Sequence, residues 1–435
     1  MDRFVITGGQ RLSGDVTVGG AKNSVLPIMA AALLTEEELV IRRVPRLRDV
    51  ASQVKVLQSL GARVLHDEKQ GILRIRCDNE GPITAPYELM KTMRASICVL
   101  GPLLAKRKRA RVSMPGGCVI GVRPIDLHLR GMEALGAAID VKSGYVEAST
   151  TQLRGGTLFL GSSAGSTVLG TANVVMAATL ADGETVLENA AQEPEVVDLC
   201  RVLVKMGAQI DGIGSHCLRV TGVQKLHGVD HSVIPDRIEA GTFAIAGAMT
   251  GGDVTVRGCE PRDLLALIER LRAAAVDVTY GADWIRVCAP RRFRSIDVTT
   301  LPHPGFPTDL QAQLMALLCQ ADGISMIHER IYQDRFIHVA ELHRMGARIR
   351  KEGSTAIIEG VPRLSGAPVM ASDLRGSAAL VLAGMAAEGE TIVDRVYHID
   401  RGYERIDERL RLLGARIDRR AADAGPPPLT MAASA

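Results

Sequence analysis

One eight-residue pattern, apolar-x-x-apolar-Gly-Ala-x-apolar, recurs along the whole chain and constrains its architecture more than any other feature. It reads Leu-Gln-Ser-Leu-Gly-Ala-Arg-Val from Leu57, Met-Glu-Ala-Leu-Gly-Ala-Ala-Ile from Met132, and Leu-Val-Lys-Met-Gly-Ala-Gln-Ile from Leu203. It returns from Leu342 and Leu410, with a degenerate copy, Leu-Arg-Ala-Ala-Ala-Val-Asp-Val, from Leu271. The repeated position is Gly61, Gly136, Gly207, Ala275, Gly346 and Gly414, at intervals of 75, 71, 68, 71 and 68 residues. A fixed period of this size marks one supersecondary unit used repeatedly. Each copy predicts a helix closed by a glycine C-cap that feeds a strand.

A second element precedes each copy. It is an alanine-rich helix, as in Pro27–Leu34, Val175–Ala181 and Leu380–Ala386, followed by a short alternating strand such as Glu184–Glu188, Asp253–Arg257 or Glu390–Asp394. These helices are apolar nearly all round, so they belong inside, with the amphipathic Gly-Ala helices outside them. The fold expected is α/β, built from six β-α-β-α-β-β-like units, three per domain, with helices at the centre. Three copies precede residue 232 and three follow it. One domain therefore covers 22–232, and the other covers 1–21 plus 233–420, with crossings at Gly19-Gly20 and Val233-Ile234-Pro235. The segment 421–435, with three consecutive prolines among small residues, is expected to be disordered.

Composition excludes several classes. Of 435 residues, 52 are basic and 49 acidic, a near balance that argues against a nucleic-acid tract or membrane patch. No basic segment followed by an apolar core opens the chain, and the apolar runs are too short to span a bilayer. Eight cysteines stand at 77, 98, 118, 200, 217, 259, 288 and 319, with no Cys-x-x-Cys pair, which fits reduced thiols in a cytoplasm. No His/Cys spacing suggests a metal, and no cofactor is expected.

Chemistry concentrates in two places. From Met114 to His128, three glycines and two prolines exclude regular structure and predict a mobile loop. Within it Cys118 is followed by Arg123, Asp126 and His128, and a nearby cation favours a reactive thiolate. An ordinary glycine turn with a passenger cysteine is the alternative. The second place is the N-terminal ends of the apolar helices. These read Gly20-Ala-Lys22-Asn23, Lys91-Thr-Met-Arg94, Gly170-Thr171-Ala-Asn173, Pro235-Asp236-Arg237-Ile-Glu239, Pro307-Thr308-Asp309 and Asp373-Leu-Arg375. Helix N-termini favour anions, and added Lys and Arg describe a site for phosphate or carboxylate. Taken singly, each end also fits an ordinary cap with solvated charge.

These motifs resemble those of the UDP-N-acetylglucosamine 1-carboxyvinyltransferases, which are enolpyruvyl transferases. The resemblance runs from Arg3 to about Arg419 and includes Pro-Gly-Gly-Cys118, Gly-x-Arg123-Pro-x-Asp126-Leu-His128, Phe306-Pro-Thr-Asp309 and Ile-Asp-Arg401-Gly-Tyr-Glu-Arg405. It implies a two-domain inside-out α/β barrel and transfer of the enolpyruvyl group of phosphoenolpyruvate to the 3-hydroxyl of UDP-N-acetylglucosamine. By resemblance, Lys22, Asn23, Arg123 and Arg401 hold phosphoenolpyruvate, Cys118 is an acid or covalent trap, and Asp309 takes the sugar's proton. Arg94, Arg123, Pro124, Ile125, Asp126, Leu127, His128, Ile331, Arg335 and Arg375 are the implied contacts to the substrates.

The chain departs from the family between Leu160 and Asn173, where the segment is longer. Ser166, Thr167 and Val168 are assigned there to the uridine and diphosphate. Two rival readings stand beside this one: a shikimate-pathway enolpyruvyl transferase, and a silent relative that senses the nucleotide sugar. The expected partners are the two small-molecule substrates, with neither nucleic acid nor membrane; the oligomeric state is left open, and a monomer is compatible with the sequence.

Overall fold

The computed structural model describes residues 2–116, 125–163, 165–290 and 292–421. Among them, six four-stranded sheets share one strand order. In the first, Val229–Ser232 runs parallel to Leu39–Arg42, which pairs antiparallel with Ile72–Cys77, which pairs antiparallel with Ala62–Asp67. Two of the sheets borrow strands from the start of the chain. Ser13–Thr17 pairs parallel with Asp253–Arg257, and Asp2–Thr7 lies between Glu390–Asp394 and Arg416–Ala421.

Helices alternate between inner and outer positions along the chain. The inner ones are α1 (Lys22–Ala31), α3 (Leu100–Arg107), α5 (Val168–Ala178), α7 (Arg237–Met249), α9 (Gln311–Leu318) and α11 (Leu374–Ala386). The outer ones are α2 (Arg48–Ser59), α4 (Asp126–Ala134), α6 (Pro194–Lys205), α8 (Leu265–Ala273), α10 (His338–Arg344) and α12 (Ile406–Leu412). Every residue of α7 and of α9 is buried, as an all-round apolar helix requires. The outer helices bury one stripe only, such as Val50, Gln53, Val56 and Leu57 of α2.

The repeat glycines close the outer helices in the left-handed region, at φ of 88° for Gly61 and Gly136, 103° for Gly207, 85° for Gly346 and 97° for Gly414. Ala275 takes the same turn at φ 66° despite its Cβ.

Two hydrophobic clusters result. One runs from Ala21 to Val233; the other joins Phe4–Val18 to residues from Ile238 to Ile417. The chain crosses between them twice, and the crossings are bonded to each other. Ala21 N donates to Ile234 O (2.8 Å) and Asp236 N to Gly19 O (3.0 Å). A Cβ on Gly20 would sit 1.9 Å from Arg43 O, so only glycine fits this approach. Among the described residues no helix is long and apolar enough to cross a membrane.

Candidate active site

The N-terminal ends of α1 and of the 3-10 turn Thr308–Leu310 meet through Asn23, whose Nδ2 lies 3.5 Å from Asp309 Oδ2. Around this contact lie two charge clusters. In the first, Asp49 in the opening turn of α2 receives Lys22 Nζ at 2.7 Å on Oδ2 and Arg401 Nε at 2.9 Å on Oδ1. Burial pushes the Asp49 carboxyl up, but the charges of Lys22 and Arg401 outweigh it and hold it below the usual carboxylate range. In the second, Asp309 accepts Arg335 Nη1 at 2.7 Å on Oδ1 and Arg375 Nη2 at 3.0 Å on Oδ2. Burial again raises this carboxyl, and Arg375 and Arg335 more than reverse it, leaving it well below the usual range.

Local folding explains these placements. Ala21, at the N-cap of α1, offers no side-chain cap, and Lys22 N instead donates to Asp236 Oδ2 (3.1 Å). That same aspartate caps α7 through Ile238 N and Glu239 N (2.9 Å each). Arg375 is fully buried beneath Tyr403, 5.3 Å from its ring centroid. Arg335 also donates to Thr308 Oγ1 (3.1 Å). Four cations, Lys22, Arg335, Arg375 and Arg401, thus converge on two carboxylates, and Lys22 and Arg375 stand in the first turns of α1 and α11, an arrangement that suits a multiply charged anion.

The sequence-identified residues divide in three. Lys22, Asn23, Asp309, Arg335, Arg375 and Arg401 come together as just described. Arg94 opens the 3-10 turn Arg94–Val99, where its charge adds to burial in pushing the His128 imidazole down to about 3. His128 is buried, its Nδ1 3.1 Å from Asn173 Nδ2; Ile125 and Leu127 are buried and Asp126 is exposed. Thr167 caps α5 through Gly170 N (3.2 Å), beside Val168 in the first turn. Ser166 pairs with Gly161 in a short hairpin, and Ile331 N donates to Glu329 Oε1 (2.8 Å). Cys118, Arg123 and Pro124 lie outside the described residues, as does 422–435.

One expectation needs correction. Residues 126–128 form the first turn of α4 rather than the end of an irregular loop, because no glycine or proline falls between Ile125 and Arg130 and Asp126 favours a helix start. On the other flank, a Cβ on Gly116 would lie 2.7 Å from Lys91 O, which fixes the chain three residues before Arg94.

Residues 6–410 match the family described as EPSP synthase (3-phosphoshikimate 1-carboxyvinyltransferase). A UDP-N-acetylglucosamine 1-carboxyvinyltransferase of Koribacter versatilis is 54% identical over 421 residues, 96% of each chain. One of an Anaeromyxobacter species is 56% identical over 425 residues, 97% of this chain and all of the relative. The chain belongs to the UDP-N-acetylglucosamine 1-carboxyvinyltransferase family. Among solved structures, the enolpyruvyl transferase NikO of Streptomyces tendae matches 97% of this family member and 99% of its own chain, at TM-score 0.87 and 25% identity. EPSP synthase of Acinetobacter baumannii, at TM-score 0.76 and 20% identity over 97% of this chain and 100% of its own, shares the fold.

Within this carboxyvinyltransferase fold, sequence reasoning missed Asp49 and Glu329. Asp49 looks like an ordinary acidic residue in a first helical turn. Glu329 is fully buried, accepting Thr300 Oγ1 (2.7 Å), Tyr332 N (2.9 Å) and Thr308 Oγ1 (2.9 Å), so it shapes the segment holding Ile331 and Asp309. Nothing local distinguishes a glutamate after a strand as buried. Asn173 and Thr171, grouped by sequence with the helix starts that favour anions, are internal struts: Asn173 Oδ1 accepts Gly101 N (2.6 Å) and Thr171 Oγ1 accepts Ala191 N (3.0 Å).

Proposed function

We propose that the chain transfers the enolpyruvyl group of phosphoenolpyruvate to the 3-hydroxyl of UDP-N-acetylglucosamine, releasing phosphate, as the first committed step of peptidoglycan synthesis. The observation that carries the reading is the junction of Lys22, Asn23 and Asp309, flanked by Arg335, Arg375 and Arg401, in a chain 54–56% identical to relatives so named. The reaction is addition–elimination. C3 of the enol is protonated, the sugar oxygen attacks C2 and loses its proton, and the tetrahedral ketal then loses phosphate and a C3 proton to restore the double bond.

In this reading Lys22, Asn23, Arg123 and Arg401 neutralise and orient the carboxylate and phosphate of the donor. Asp309 takes the hydroxyl proton, and Cys118 supplies a proton or traps the donor covalently. Clamped by two guanidinia, Asp309 is a weak base until donor anions draw positive charge away from it. Arg94, Pro124 to His128, Ser166 to Val168, Ile331, Arg335 and Arg375 shape the nucleotide-sugar side. The division into 22–232 and 1–21 plus 233–420 is that of a two-domain inside-out α/β barrel, with the site in the cleft between its parts. Both substrates are charged metabolites that do not cross a bilayer unaided, which supports a cytoplasmic reaction.

Phosphate release measured with UDP-N-acetylglucosamine against shikimate 3-phosphate tests this assignment. Turnover with the sugar nucleotide alone is expected; turnover only with shikimate 3-phosphate, or ligand-induced thermal stabilisation without any turnover, overturns it.

A further inference from the structure

Beneath the first turn of α1 lies a buried carboxylate that the reaction as written does not use. Asp198, on α6, is 1% exposed. Its Oδ2 accepts the hydroxyl of Ser24 at 2.5 Å and Ile234 N at 3.3 Å; its Oδ1 meets His231 Nε2 at 2.9 Å. His231 Nδ1 lies 3.2 Å from Lys205 Nζ. An ammonium can only donate, so Nδ1 accepts and the imidazole proton sits on Nε2, directed at Asp198. Each partner belongs to a different element: Ser24 to α1, His231 to the last strand before the crossing, and Ile234 to the crossing itself.

These bonds close a ring. Ile234 O accepts Ala21 N (2.8 Å), so Asp198, Ser24, Ala21 and Ile234 form one hydrogen-bonded loop around the start of α1. The helix has no side-chain cap of its own at Ala21, and two aspartates from other elements brace its opening turn, Asp236 on Lys22 N and Asp198 on the Ser24 hydroxyl. Lys22 and Asn23 sit in the gap between those two grips. Burying a carboxylate is costly, and an apolar side chain would fill the space as well. What the charge adds is direction, because it fixes one hydroxyl and one backbone amide at once.

We propose that Asp198 is a positioning residue for the reaction, holding Lys22 and Asn23 in register with the crossing between the two hydrophobic clusters. This rests on Lys22 and Asn23 as phosphoenolpyruvate contacts. A loss of register there weakens donor binding and leaves the nucleotide-sugar side untouched.

The test is steady-state kinetics of the full chain carrying Ser24→Ala, Asp198→Asn or His231→Gln, with both KM values and Tm read for each. Ser24→Ala is expected to raise the KM for phosphoenolpyruvate about five- to tenfold while leaving that for UDP-N-acetylglucosamine within about twofold. Asp198→Asn is expected to do at least as much, and the double variant no more than Asp198→Asn alone. His231→Gln keeps a donor for Oδ1 and is expected to stay within about twofold on both substrates. An unchanged donor KM in Ser24→Ala, or equal rises in both KM values, overturns the proposal. Ser24→Ala removes a single hydroxyl, so this holds even if Asp198→Asn does not fold. Lys22→Ala separates the two readings. If it leaves the donor KM unchanged, the assignment of Lys22 fails; if it raises that KM and Ser24→Ala does not, only the positioning role fails.

Discussion

Arg401 places its Nε 2.9 Å from Oδ1 of Asp49, a residue 352 positions earlier, while Lys22 occupies the other oxygen of the same carboxylate. The two cations therefore share one counter-ion, and each belongs to a different hydrophobic cluster's framework.

Removing that counter-ion leaves two largely buried charges facing each other. Asp49→Ala is expected to destabilise the protein by about 2–3 kcal/mol at pH 7, less than for a fully enclosed pair because Arg401 keeps some solvent contact. The folded carboxyl is depressed, so its contribution is present above the unfolded value of about 3.9 and disappears as pH falls. The difference between wild type and variant should thus shrink in acid. Millimolar inorganic phosphate should raise the Tm of Asp49→Ala more than that of wild type, since an anion can stand where the carboxylate stood. Equal shifts in thermal melts would contradict this.

Asp309→Asn keeps the shape of the side chain and removes its ability to take a proton. Turnover should fall by about 10²- to 10⁴-fold. UDP-N-acetylglucosamine affinity, measured by calorimetry, should change far less. A variant with near-normal kcat would remove Asp309 from the proton transfer.

Fosfomycin, an epoxide phosphonate, should add once, at Cys118. Burial pushes the thiols of Cys77, Cys98, Cys200 and Cys319 up to about 12 and that of Cys259 to about 11, which leaves them unreactive near neutrality. Intact mass should show one adduct on wild type and none on Cys118→Ser. An unmodified wild type, or labelling that survives in the variant, would argue against an activated thiol at that position.

Ala275 pays the cost of a left-handed turn that glycine adopts freely at the equivalent positions. Ala275→Gly should stabilise by about 0.3–1 kcal/mol, the relief of the Cβ clash less the added entropy of the unfolded chain. Urea unfolding with an unchanged or lower midpoint would mean that the surrounding turn had already absorbed the strain.

The repeat was legible because its signal is local and steric: a helix that must end in φ near 90° asks for glycine, and Gly61, Gly136, Gly207, Gly346 and Gly414 answer. The apolar helices were legible because wholly apolar helices have only the interior to occupy. Charged groups at their starts, such as Lys22 and Asp309, stood out against that background. What the sequence concealed was partnership across distance. Asp49 reads as a helix-start acid until Arg401 arrives, and Glu329 reads as a surface residue until Thr300 and Thr308 enclose it. Asn173 resembled Asn23 in sequence context, yet one spans two inner helices as a strut and the other faces Asp309, a difference only packing decides.

The strand Asp2–Thr7 has both its neighbours, Glu390–Asp394 and Arg416–Ala421, at the far end of the chain. During synthesis it emerges long before either partner, and neither edge is covered until the segments from residue 390 onward have followed. The cluster from Ala21 to Val233 suffers no such delay, since its own sheets are complete once Ser232 has emerged. Vectorial assembly of this molecule is therefore lopsided, and a ribosome stalled short of residue 390 releases a product with a finished middle and an unpaired, sticky beginning.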